Sequence, residues 1–374
     1  MPTNSLQARQ VRAPRLRVLT NGALAPNPIS ADINSNNHYA ADRFGVVLGL
    51  AGRSAARWCA ATDLLVDVQM SLDAGLGWTS LVQGSVDTVE YDPLADTIRL
   101  LGRDLTAGLI EARTQETFAN QTASEIAKTL AGRHGLDPDI ATTSVLVGRY
   151  WELEHDRITL DQFGRATTEW DLLVTLAQHE GFNVWVSGTT LHFRPADQSG
   201  GVSAIFRASA SAAGPANVTG LHLERTLTLA RDIEVTVKSW NSHQKTAFIQ
   251  VARASAKSTT SNSVLQKYVY VVPNLTPDAA LKLAQQRRAD LTRRERVISV
   301  DLPGELHLRP RMQVQLVGTN TAFDQSYWID AIERRLDFTA GFTERIRASN
   351  SSAGPQTTSP ADRIGSSWIG FSTP

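Results

Sequence analysis

The strongest constraint on this chain is a succession of short apolar or alternating runs across its first hundred positions. Arg15–Thr20, Ile29–Asn34, Phe44–Leu50, Leu64–Met70, Thr79–Val89 and Thr97–Leu101 carry the pattern. Asn21-Gly22, Pro26-Asn27-Pro28, Asp73-Ala74-Gly75 and Asp92-Pro93 punctuate it, residue types that reverse the chain. With no long helical period between them, these runs are predicted to form five or six antiparallel strands of a small barrel or sandwich. The pieces around Asp42 and Arg53–Asp63 are open to a second reading, as a helical excursion.

The texture changes after Gly102. Thr122-Ala-Ser-Glu125 is a capping box ahead of Ile126, Ala127, Leu130 and Ala131, which share one helical face ending near Gly132 or Gly135. A second helix is predicted from Thr167-Thr168, with Trp170, Leu173, Val174 and Ala177 along its stripe and Gly181 at its C-terminal cap. Phe182–Val186 and Thr190–Arg194 flank Ser187-Gly188 as a hairpin. The tract from Ser199 to Ala216 is small and polar and reads as a linker or exposed loop.

Strands resume at Val218–Glu224, Ile233–Trp240, Thr246–Ala252 and Val264–Val272. Ile233, Val235 and Val237 alternate strictly with Glu234, Thr236 and Lys238. Thr276-Pro277-Asp278 supplies cap, first-position proline and an acid against the helix dipole, opening a third helix to about Arg293. Val297–Leu302, Met312–Val317, Tyr327–Asp337 and Gly341–Ile346 return to strand. The polar tail from Ser349 ends in Trp368-Ile369-Gly370-Phe371, a cluster with no core of its own, which is expected to dock on this chain or on a partner.

Charge and motifs remove several functions. The 37 Lys and Arg balance 37 Asp and Glu, which excludes a body that grips nucleic acid or anionic membrane as a polyelectrolyte. No apolar run is long enough to span a membrane, and Arg9, Arg12, Arg15 and Arg17 precede no apolar stretch of a secretory signal. Asn120, Asn217, Asn274 and Asn350 therefore carry no glycosylation message. That basic run, with no acid until Asp32, offers at most sequence-independent contact with a nucleic acid or an acidic neighbour. The single cysteine, Cys59, permits no intramolecular disulfide and reads as a small buried residue.

The eight histidines never approach zinc-ligand spacing; the closest pair, His179 and His192, is thirteen positions apart. Glu152-Leu-Glu154-His155-Asp156 is the densest group of ligand-type residues and reads as a solvated acidic turn. Gly75-Leu-Gly77-Trp-Thr-Ser80 is a broken dinucleotide fingerprint followed by strand rather than helix, hence a turn. There is no Gly-x-Ser-x-Gly elbow, and Glu169 and Asp171 fit the first turn of a helix without any catalytic duty. Arg287, Arg288, Arg293, Arg294 and Arg296, interleaved with Asp290 and Glu295, read as a solvated helix end. The expectation is no catalytic, cofactor-binding or metal-binding residues and no cofactor.

The segment from Gly102 through Ala127, with Arg133–Leu136, Tyr150–Phe163 and Ala166–Leu173, closely resembles the phage late control protein D family, as do RLRVLTNG at Arg15–Gly22 and VTVKSWNS at Val235–Ser242. These are baseplate hub proteins of contractile tails, similar also to the N-terminal part of type VI secretion spike proteins. The resemblance implies a mainly β chain with α+β insertions: two antiparallel β-barrels like the tail-tube subunit, and two smaller α+β domains. The expected division is a first barrel over 1–102 and an α+β domain over 103–198. A second barrel is split between 217–240 and 296–348 by an α+β insertion at 241–295, and an extended tail covers 349–374.

The resemblance further implies a homotrimer that adapts a hexameric tail tube to a trimeric spike, with other baseplate subunits as partners and DNA passing through its lumen without specific binding. It implies no catalytic residues, and a place in the virion tail baseplate after assembly in the host cytoplasm. Trp368, Ile369 and Phe371 are the expected partner anchor. The alternatives are a tail-associated cell-wall hydrolase and a receptor- or glycan-binding tail module.

Overall fold

The computed structural model describes residues 12–350 except 114–117, 119, 145, 148–167, 196–200, 211–213, 228, 230–232, 242–245, 254–265, 273–276 and 293. The first stretch holds β1 (Arg15–Thr20), β2 (Ala23–Leu24), β3 (Pro28–Asn36), β4 (Arg43–Gly49), α1 (Ala56–Cys59), β5 (Leu65–Ser71), β6 (Thr79–Asp92) and β7 (Thr97–Asp104). Then come α2 (Thr106–Glu111), β8 (Gln121–Thr122), α3 (Ala123–Arg133), β9 (Asp137–Ile140), β10 (Leu146–Val147), α4 (Glu169–Glu180), β11 (Phe182–Ser187) and β12 (Thr190–Pro195). After these follow β13 (Ala204–Arg207), β14 (Gly220–Arg225), β15 (Ile233–Asn241), β16 (Thr246–Arg253), β17 (Gln266–Val271) and α5 (Pro277–Thr292). The chain closes with β18 (Arg296–Pro303), β19 (Gln313–Val317), β20 (Ser326–Asp337) and β21 (Gly341–Asn350).

The fold is mainly β with α+β insertions, as the sequence predicts. The barrels are a correction: the sheets are not closed. One 13-stranded sheet runs β14-β18-β21-β20-β3-β4-β7-β6-β5-β1-β2, with β19 on β20 and β13 on β19. β20 is the reason. Its start, Ser326–Trp328, pairs with β19, and its later residues, Ala331–Leu336, pair with β3. One long strand thus spends its edge on both β-blocks and fuses them, where separate barrels would each have kept their own.

Local chemistry accounts for the elements. Asn21 and Gly22 both have positive φ, 47° and 78°, which gives the β1–β2 turn a twist matching its strands. Gly75–Trp78 is a turn between β5 and β6, with Thr79 and Ser80 opening β6, and it is pinned by Asp73 Oδ1, which accepts from Gly77 N at 2.9 Å. A Cβ at Gly102 would lie 2.2 Å from the Ser85 carbonyl oxygen, so β6 and β7 approach this closely only because that position is bare. Arg53–Asp63 resolves to the short helix α1, which buries Trp58 and leaves Cys59 exposed. Cys59 is therefore not the buried residue expected; its bulkier neighbour holds the inward position.

Contacts divide the chain into two compact units, Met1–Glu224 with Val297–Ser349, and a second built on Arg225–Arg296. Within the first unit, Val46, Leu48, Val66, Val68, Ile98 and Leu100 fill one β core, and Phe206, Ile298, Val300, Leu316, Tyr327 and Ile346 another. A third core lies between α3, α4 and the sheet β11-β12-β9, around Ile126, Leu130, Leu173, Leu191 and Phe193. Its helices start as the sequence dictates: Thr122 and Glu125 form the reciprocal cap of α3, and Thr168 caps α4, which ends on Gly181 with φ 73°. The tract read as a linker contains β13, whose Ala204 and Phe206 are buried by parallel pairing with β19. An alternating pair of apolar residues in a small-residue context is too short a signal for sequence periodicity to catch.

The second unit is a three-stranded sheet, β16-β15-β17, with α5 against the face carrying Ile233, Val235 and Val237. Ala280 and Ala284 are the buried helix positions, small enough for close approach. β15 therefore belongs to this unit and not to the second β-block, whose first part was expected to run to residue 240. β15 supplies the central strand, with antiparallel β16 on one side and parallel β17 on the other.

Candidate functional site

Among the described residues no group of three or more His, Cys, Asp or Glu is placed to hold a metal ion, and no helix is long and apolar enough to cross a membrane. Trp368, Ile369 and Phe371, the expected anchor, and the acidic Glu152–Asp156 stretch lie outside the described residues. The most developed polar chemistry among the described residues is a buried charged junction.

The junction is organised by Arg311, in the loop between β18 and β19. Its backbone takes φ 75°, unusual for a side chain with a Cβ and costing about 1–3 kcal/mol, so surrounding contacts must hold it there. Its amide donates to Ile329 O at 2.9 Å, its guanidinium donates to Asn37 Oδ1 at 3.1 Å, and its Cζ stands 4.4 Å above the Trp185 ring. One residue of the second β-block thereby grips the β3–β4 loop and the β11 strand of the inserted module. Two carboxyls face it electrostatically, the half-buried Asp42 and the buried Asp104: desolvation raises Asp42, and burial with the nearby Asp42 charge pushes Asp104 up to about 7. Burial pulls Arg311 down to about 10, against the attraction of both acids.

A buried ion pair lies deeper. Arg334 Nη2 is 2.9 Å from Glu344 Oε1, both fully buried, and it also donates to Leu308 O at 2.5 Å. Glu344 Oε2 accepts from Glu305 N at 2.9 Å, and Glu305 pairs with Arg12 at the start of the described chain. Arg12, from the basic run expected to offer sequence-independent contact with an acidic neighbour, is thus spent inside the fold. Glu169 does more than compensate the α4 dipole: it is buried and bound by Arg133 and by His134 Nε2 at 2.6 Å, joining α3 to α4. No sequence spacing signals either network, because each pairs residues far apart in the chain.

The sheet β11-β12-β9 carries one further arrangement. Ser187 Oγ is 2.7 Å from His192 Nε2, and His192 Nδ1 is 2.7 Å from Asp139 Oδ2. That is the order of a nucleophilic triad. Arg194 binds the same carboxylate and is the main reason the Asp139 carboxyl sits below its usual range. Ser187 is exposed beside a two-residue turn whose first position is Gly188 at φ 56°, an ordinary hairpin turn rather than a strained elbow. The visible effect of the network is to tie β9 to β12 and to orient His192 flat against Trp185, with ring centroids 4.6 Å apart.

No protein-family model and no curated protein sequence matches the chain. Its fold is that of known tail proteins. A tail protein of Neisseria meningitidis MC58 superposes with TM-score 0.67 at 18% identity, over 90% of this chain and 97% of that one. The 43 kDa tail protein of prophage MuSo2 from Shewanella oneidensis gives 0.63 at 17% identity, over 91% and 97%. An E. coli type VI secretion component, described as similar to phage T4 tail proteins gp27 and gp5, gives 0.54 at 14% identity, over 88% and 76%.

Proposed function

We propose that the chain is a structural baseplate hub of a contractile phage or phage-like tail, a homotrimer that adapts a hexameric tube to a trimeric spike and lines the DNA channel. The observation that carries this reading is the extent of the fold match, nine-tenths of this chain against nearly the whole of two tail proteins. The internal architecture supports it. The two halves contribute seven and six strands in series, β3-β4-β7-β6-β5-β1-β2 and β14-β18-β21-β20-β19-β13. Three copies around an axis would present six such blocks, and a closed ring limits growth where open sheet edges would invite it. The charged junction suits a scaffold, fixing the blocks and one insertion to each other, and no catalytic step is needed from it.

Mass in solution tests the trimer. Light scattering is expected to give about 122 kDa, three copies of the 40.7 kDa chain, alone or with the spike protein. A persistent monomer in both conditions overturns the hub. Trp368, Ile369 and Phe371 are proposed to anchor the spike or an adjacent baseplate subunit. Removing residues 350–374 should then weaken co-purification with that partner and leave the trimer intact.

One observation favours a second reading, a tail-associated hydrolase: the Ser187–His192–Asp139 order. A fluorophosphonate probe separates the two. Labelling that maps to Ser187 and is lost in His192→Ala supports the hydrolase, and an unlabelled protein supports the structural role.

A further inference from the structure

A groove of about 820 Å³ opens between the β1–β2 hairpin and α1. Leu16, Leu24 and Pro26 give it an aliphatic lining, and Arg17, Arg53 and Arg57 surround it; no carboxylate lines it. Leu24 is 68% exposed, an apolar side chain standing in the opening without cover.

None of the three arginines around the groove is neutralised by a neighbouring acid among the described residues. Arg12, Arg103, Arg133, Arg194, Arg334 and Arg345 each meet a carboxylate within salt-bridge distance, whereas among the described residues Arg17, Arg53 and Arg57 meet none. Arg17 stacks 4.3 Å above Trp78 and donates to Gln69, which in turn donates to Asp67, so an acid is reached only at one remove. Arg57 stacks 4.4 Å above Trp58. Stacking fixes a guanidinium plane without spending its N–H donors on an anion; Arg17 already gives Nε and Nη2 to Gln69 Oε1 and keeps its outer Nη1 side for a carboxylate, while Arg53 and Arg57 keep the whole fork. In a chain whose total charge is zero, this concentrates uncompensated cations around one concave apolar surface.

We infer that this groove is a docking site for an extended acidic segment of another protein, its carboxylates taken by Arg17, Arg53 and Arg57 and an apolar side chain seated against Leu24. The lining favours polypeptide over nucleic acid. Base stacking needs open aromatic faces, but Trp58 is 3% exposed and the face of Trp78 is already covered by Arg17. Aliphatic and proline walls suit a leucine-type side chain instead. The inference does not depend on the trimer, since mass in solution and binding in this groove are read separately.

The test uses the full chain and a fluorescein-labelled eight-residue peptide alternating glutamate with leucine, followed by anisotropy. Saturable binding is expected, weakened about tenfold between 50 and 300 mM salt because exposed charge pairs are screened. Arg53→Glu with Arg57→Glu, both at exposed positions, should cut affinity at least tenfold with an unchanged melting temperature. Leu24→Asp should cut it about fivefold. The inference is overturned if the wild-type chain does not bind the peptide or if the double variant binds it equally. Tighter binding of a twelve-nucleotide oligo(dT), with the same arginine dependence, would also sink it by making the groove a nucleic-acid site.

Discussion

The molecule contains two small mixed sheets built on one plan and finished in opposite ways. Each has three strands, one antiparallel and one parallel pairing, and helix packed on one face: β11-β12-β9 under α3 and α4, β16-β15-β17 under α5. On the first sheet, Ser187, His192, Arg194 and Asp139 saturate one another in a polar network. On the second, the residues beside Thr236 and Lys238 are Val251 with Val269 and Ile249 with Val271, all four exposed. Equal topology therefore does not mean equal surface chemistry. A face that satisfies its own polar groups is finished against water, whereas clustered exposed aliphatics keep the hydrophobic penalty of an uncovered face.

The comparison can be strained from both sides. The largest effect is expected from Phe193→Ala, which empties a fully buried position beneath α3 and α4 and should cost about 3–5 kcal/mol in denaturant unfolding. Val237→Ala in the second unit removes a smaller buried side chain and should cost about 1–3 kcal/mol. Equal losses would show that the Phe193 site collapses around the vacancy while the Val237 site does not. Glu169→Gln comes next. It leaves Arg133 and His134 facing a neutral amide at a buried site, an expected loss of about 1–3 kcal/mol, while the packing of Trp170 and Leu173 stays in place.

Acid should then separate the two sheets. The Asp139 carboxyl lies below its usual range, held there first by Arg194 and also by His192. Its stabilisation is therefore present above the unfolded aspartate value, near 4, and is lost as pH falls through the lower folded value. Amide exchange measured across that window should rise for β9 and β12 in the wild type, and Asp139→Asn should remove most of the dependence. Unchanged protection would mean that the polar network contributes nothing to the β9–β12 pairing. The smallest effect is expected from Val269→Thr on the bare face, within about 0.5 kcal/mol of the parent, because a half-exposed side chain loses little on gaining a hydroxyl. A loss beyond 2 kcal/mol would show that this face is covered in solution.

Legibility followed the range of the interactions involved. The reciprocal Thr122–Glu125 cap, the Gly181 terminator and the Ile233/Val235/Val237 stripe are written within a few residues, and each forms as the spacing predicts. β13 was missed because four residues carry too little periodicity, and Cys59 because a one-turn helix gives no phase to say which neighbour points inward. Arg311 was unreadable for another reason. Its partners Asn37, Trp185 and Ile329 come from three parts of the chain, and its positive φ is tolerated only because they surround it. The groove needed the structure too, since only the fold shows which arginines have met an acid.

The amino-acid order by itself therefore determined a mainly β chain with helical insertions, most of its turns and caps, and a resemblance to tail hub proteins. Those properties rest on local backbone preference and on periods of 2 and 3.6 residues. The tertiary structure decided that β20 would fuse two β-blocks into one unclosed sheet and that β15 would belong to the second unit. It also decided that Glu169 would be buried in an ion pair and that three arginines would be left without one. Strand edges and charges choose partners by proximity after folding, and proximity between distant segments has no signature along the chain.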